Sequence, residues 1–150
     1  MIDIFLNPVL WAAVLAWFAA QGIKFVWLFL TQRTFDLRVF LSTGGMPSAH
    51  SASVAATAWS VGLLEGFASP LFGLAAVFAF VVMFDAQGVR WAASRQARIL
   101  NQLLDSMFQG QPVQEERLKE LLGHTPFQVF AGALIGIIVA WLLIRTPTGP

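Results

Sequence analysis

Four short blocks hold nearly every unusual polar residue of this 150-residue chain. They are Lys24, Gly44-Gly45-Met46-Pro47-Ser48-Ala49-His50-Ser51, Asp85-Ala86-Gln87-Gly88-Val89-Arg90, and Glu120-Leu121-Leu122-Gly123-His124. Two histidines can divide nucleophile and acid–base roles near neutral pH. A Gly-Gly pair ahead of Pro47 and Ser48 suits a turn that opens a helix. Free N–H groups at a helix start bind anions, and a glycine such as Gly45 lets a phosphate approach the backbone. Lys24 and Arg90 would neutralise phosphate oxygens, the arginine in bidentate fashion. The set suits phosphoryl transfer. Each residue also has a plainer use. His50 and His124 can pack or cap at helix starts, Lys24 can snorkel to an interface, and Asp85 can pair with Arg90 as a structural bridge.

The elements that must position these blocks are apolar. The chain is 57% hydrophobic and 11% charged, against roughly 25% charged in a soluble domain, and its mean hydropathy is +0.71. A compact soluble domain of this size could not hide so much apolar surface, and a disordered chain is excluded. The net charge of +1 is too balanced for a nucleic-acid binder. With no cysteine, disulfides, thiolate metal sites and a cysteine nucleophile are ruled out.

The pattern predicts a single all-α integral membrane domain over 1–150, with about four transmembrane helices near 8–30, 49–64, 70–86 and 127–144. Asp3, and the lack of Lys or Arg before the first run, argue for a retained helix rather than a cleaved signal peptide. The second stretch is short and rich in small residues, which favours helix packing over lipid exposure. The segment Glu65-Gly66-Phe67-Ala68-Ser69-Pro70 reads as a tight helical hairpin. Between the third and fourth spans, Ala93, Ala97, Leu100, Leu104 and Met107 recur at helical spacing opposite a polar stripe. That predicts a separate amphipathic helix over about 91–108, lying on the membrane surface or over the bundle ends. A short charged helix is expected at 115–122, and Thr125-Pro126 should open the last span. Four spans alternate in direction, so all four polar blocks meet at one membrane face.

The block around Met46-Pro47-Ser48-Ala49-His50-Ser51 resembles the Pro-Ser-Gly-His block of the type 2 phosphatidic acid phosphatase superfamily, which also includes vanadium haloperoxidases. Residues 44–52, 85–90, 96–101 and 118–129 are similar, in order, to the signature blocks of its divergent branch of small bacterial and plastid membrane proteins. The resemblance implies His124 as the nucleophile and His50 as the general acid. It implies Lys24, Ser48 and Arg90 as phosphate ligands beside Gly45. Ala49 stands where the parent motif has Gly, and no Asp follows His124. Glu120, four residues earlier, or Asp85 would then orient that imidazole.

The function expected is a membrane-embedded phosphatase acting on a lipid phosphate monoester, with neither metal nor cofactor. Two alternatives stay open. One is a non-catalytic membrane module that binds phosphorylated headgroups. The other is a metal-assisted hydrolase using Asp85, Glu120 and His124 as ligands. The expected partners are a phospholipid or polyprenyl phosphate substrate, membrane lipids and a second copy of the chain, and no nucleic acid. The setting implied is a bacterial inner membrane or a plastid membrane. Eight of the nine basic residues fall on the two-loop side, so the positive-inside rule makes that face cytoplasmic. A single cysteine placed within 115–122 of this cysteine-free chain should react with an impermeant maleimide only after the cells are opened; labelling from outside intact cells would reverse the orientation.

Overall fold

The computed structural model describes residues 2–33, 45–107 and 125–145, and among them every regular element is helical. A short 3-10 helix, Ile2–Leu6, leads into α1 (Pro8–Gln32), followed by α2 (Ala49–Glu65), α3 (Pro70–Met107) and α4 (Pro126–Arg145). The stretch 115–122, where a short helix was expected, lies outside the described residues.

Each helix opens on a side-chain cap, which matters in a membrane because water cannot satisfy the first N–H groups. Asn7 accepts from the Val9 and Leu10 amides at 2.9 and 3.2 Å. Ser48 accepts from the Ser51 amide, and Ser69 from the Phe72 amide at 3.2 Å. Thr125 and Gln128 cap one another: the Gln128 amide donates to Thr125 Oγ1 and the Thr125 amide to Gln128 Oε1. Proline follows directly after three of these caps, as Pro8, Pro70 and Pro126, where its missing N–H costs nothing. The Thr125-Pro126 start and the hairpin at 65–70 thus stand as the sequence predicts, with Gly66 at φ +89 making the turn.

The interior holds small side chains and the outside large ones. Ala12, Ala16 and Ala20 of α1, Ala52 and Ala56 of α2 and Ala140 of α4 are fully buried, while Phe78, Phe80 and Phe84 of α3 are exposed. A soluble protein does the reverse. In lipid, where apolar surface gains nothing by leaving its solvent, helices associate through close packing of small residues. α2 sits at the centre of the bundle, in contact with α1, α3 and α4. Its carbonyls at Ser48 and Ala52 occupy the space where a Cβ would stand on Gly132 and Gly136 of α4. The register advances four residues on both helices together, so α2 and α4 run parallel. α1 runs antiparallel to α2: Ser53 Oγ donates to the Ala13 carbonyl at 3.1 Å, while Lys24 reaches Gly45 at the other end.

Among the described residues three helices are long and apolar enough to cross a membrane by themselves: Pro8–Thr31, Pro70–Gln87 and Pro126–Arg145. α2, with 17 residues, is about 26 Å long at the usual rise, at the lower end of the range for a crossing helix. One expectation changes, that of the amphipathic segment. It is no separate element but the continuation of α3, one helix of 38 residues. Nothing between Asp85 and Ala93 breaks a helix except Gly88, which is tolerated at modest cost. The helix thus runs about 57 Å, and its second half is the amphipathic part.

Gly132→Val or Gly136→Val should lower stability in detergent by about 1–3 kcal/mol, because each adds atoms to a filled space. Gly73→Ala, where a Cβ meets nothing within 4 Å, should change it by no more than about 0.5 kcal/mol. Thermal unfolding of the three variants checks the pair; equal effects would refute the close seam.

Candidate functional site

The site is built at the N-terminus of α2. Ser48 donates its N–H to the Gln128 carbonyl of α4 at 3.1 Å, which fixes the two helix starts at one level. Its carbonyl accepts the Ala52 amide at 3.1 Å. Its hydroxyl accepts from the Ser51 amide at 3.3 Å and from the Ser51 hydroxyl at 3.0 Å. Ser48 and Ser51 are both fully buried. Ahead of them the chain turns through Gly45 at φ +88 and a cis Met46–Pro47 bond. A left-handed φ of that kind costs an L-residue about 1–2 kcal/mol, which explains glycine there.

Lys24 comes to this turn from α1. It continues the buried line of Ala12, Ala16 and Ala20 and is 2% exposed. Its Cδ, Cε and Cγ lie 3.5–3.7 Å from where a Gly45 Cβ would stand, so the aliphatic stem passes directly beneath the turn. An intramembrane lysine is costly and rare, and here its stem runs beside the turn that opens α2. Gln21, one turn earlier, is also buried, at 3% exposure. The sequence signal for Gln21 was its spacing of three from Lys24 on one helix face; the tie from Ser48 to Gln128 left no signal, because it runs through backbone.

The remaining site residues are placed as follows. His50 stands exposed on the first turn of α2. Asp85 is exposed on α3. Counting down both arms of the hairpin from the turn at 66–69, Asp85 reaches the level of Ala49, and Arg90 lies just over a turn beyond it in the same helix. The side chain of Arg90, and the whole of Gly44, Glu120 and His124, lie outside the described residues. Of the alternative ligand set of Asp85, Glu120 and His124, only Asp85 is described. Lys24, Gly45, Ser48 and His50 thus come together around one helix start; α3 carries Asp85 and Arg90 to the same end.

Comparison with known proteins adds three findings. A family model described as the Divergent PAP2 family matches residues 5–139. The uncharacterized membrane protein YuiD of Bacillus subtilis is 42% identical over 135 residues, covering 83% of this chain and 85% of that protein. No solved structure matches.

Removing the cap with Ser48→Ala should cost about 0.5–2 kcal/mol. Gly45→Ala should cost about 1–2 kcal/mol from its backbone alone, since the space beside Lys24 admits a methyl. Thermal midpoints of the purified variants test both; an unchanged midpoint for Gly45→Ala would mean the turn does not need its left-handed residue.

Proposed function

Because the chain belongs to the divergent PAP2 family, we propose that it is a membrane-embedded, metal-independent phosphatase that hydrolyses a lipid phosphate monoester. The observation that carries this reading is the buried Lys24 stem under the Gly45 turn at the open end of α2. A lysine whose stem passes beside a glycine with no side chain at a helix start suits a phosphate better than any neutral ligand. On this reading α2 is the fourth crossing, shielded from lipid by its neighbours, and the α2 start faces the cytoplasm of a bacterial inner membrane.

The chemistry then divides between two imidazoles. Neutral His124 attacks phosphorus, and Glu120 or Asp85 holds its other nitrogen. Lys24 and Arg90 take the charge that gathers on the non-bridging oxygens. The ester P–O bond breaks, and the leaving lipid alkoxide takes a proton from His50, which is exposed where a lipid can reach it. Water next attacks the phosphohistidine, gives its proton to His50, and releases inorganic phosphate and free His124. Ser48, whose hydroxyl is engaged as the cap, serves the phosphate by presenting the helix start.

Phosphate release by the detergent-purified protein, from a panel of phosphatidic acid, phosphatidylglycerophosphate and polyprenyl phosphate, tests the reading. Release should persist in chelator. His124→Ala should abolish a trapped phosphoenzyme, and His50→Ala should slow turnover about 10²- to 10⁴-fold, most for poor leaving groups. Activity lost in chelator and restored by magnesium would install the metal-assisted route instead; headgroup binding without release from any lipid would leave a binding module.

A further inference from the structure

Where α3 and α4 diverge, an apolar groove of about 550 Å³ opens between them, inside the range of roughly 300–1,000 Å³ common to ligand sites. Met83, Phe84 and Gln87 line it from α3, and Val129, Phe130 and Ala133 from α4. Its wall is hydrocarbon apart from Gln87, which marks the end of the apolar stretch of α3.

The groove and the candidate phosphate site use neighbouring positions on one stretch of α4. Val129 follows Gln128, whose carbonyl holds the Ser48 amide, and Ala133 follows Gly132, which packs on the Ser48 carbonyl. The same two turns of α4 therefore carry the α2 start on one flank and the groove on the next. Gln87, at the polar end, lies at the level of the α2 start by the length of the hairpin arms. A cationic side chain at the α2 start on one flank of α4, and a hydrocarbon trough with a single polar residue on the next, match the two ends of a lipid monophosphate.

We infer that this groove seats the hydrocarbon chain of the lipid whose phosphate binds at the α2 start, so that the site recognises a long-chain lipid monophosphate by both its ends. The inference rests on the phosphatase reading for the phosphate end only. Any membrane-facing groove fills with hydrocarbon; what separates a substrate chain from bulk lipid is its attachment to a phosphate held nearby.

Two measurements decide it. The first uses phosphatidic acid with a photoreactive diazirine in its acyl chain, added to the full chain in phosphatidylcholine nanodiscs. Adducts should concentrate on Met83, Phe84 and Phe130. Excess unlabelled phosphatidic acid should remove them, and excess phosphatidylcholine should not. Adducts spread equally over exposed positions such as Leu15 and Val77, or removed equally by both lipids, would overturn the inference. The second uses Ala133→Trp, which fills the groove, and Phe130→Ala, which widens it at an exposed position where folding is little affected. Each should raise KM for long-chain phosphatidic acid by about tenfold while leaving kcat unchanged, the signature of lost ground-state binding. Turnover of the dihexanoyl form should stay within about twofold. Equal effects on both chain lengths would refute the groove. If no lipid phosphate is hydrolysed, the phosphatase reading falls and the labelling still decides the groove.

Discussion

The approach of the α2 and α4 backbones governs the molecule. At Gly132 and Gly136 a side chain is replaced by the facing carbonyl of Ser48 and Ala52. Two helices that close share dispersion contacts along their full length, which in lipid is the main source of association. The contact also sets register, because only one alignment puts both glycines against both carbonyls. That register brings the first turns of the two helices level, and the Ser48 amide can then reach the Gln128 carbonyl. A shift of one residue would turn both glycines aside and bring larger neighbours, Ala133 and Ile137, into the seam.

The other helices build on that pair. The alanines at 12, 16 and 20 give α1 a flat face against α2, and Trp17 and Trp59 pack at its margin. Two hydroxyls of α2 find carbonyls inside the bundle. Thr57 Oγ1 donates to the Ser53 carbonyl on its own helix, and Ser53 Oγ crosses to Ala13. The line of small residues stops at Lys24, where the stem is buried and the turn begins. The lysine is thus at the site because the alanine face that packs α1 points it there. α3, with large aromatic side chains exposed to lipid, holds α4 only loosely and leaves the groove open.

What the sequence disclosed follows from how local each signal is. Thr125-Pro126, Ser69-Pro70 and Ser48 were legible as helix starts because a cap acts within four residues. The convergence of Lys24 with the Gly45 turn was legible from alternating helix direction alone. The continuity of α3 was hidden, since composition changes sharply at Asp85 whereas backbone hydrogen bonding does not respond to polarity. Reading the amphipathic stripe as a separate surface helix mistook a change of surroundings for a break in the chain. The glycine seam was equally hidden. Gly132 and Gly136 are four apart in plain view, but their partners are carbonyls, which every residue carries. His124 and Glu120 lie outside the described residues; the first rests on the resemblance, the second on its four-residue spacing from His124.

The depth of Lys24 has a consequence for selectivity. It stands seven residues before Thr31, the end of the α1 apolar stretch, and so about 10 Å inside that limit. A charge at such depth is costly alone and is relieved by an anion brought to it. On the phosphatase reading, the lipid must carry its phosphate inward to meet the lysine. A terminal monoester can do so, since nothing lies beyond its phosphate. A diester such as phosphatidylcholine would have to bring its second substituent, a cation, into the same recess beside Lys24. Like charges in a medium of low dielectric repel strongly, so on that reading the depth that makes the lysine expensive also disfavours a diester whose second substituent is a cation.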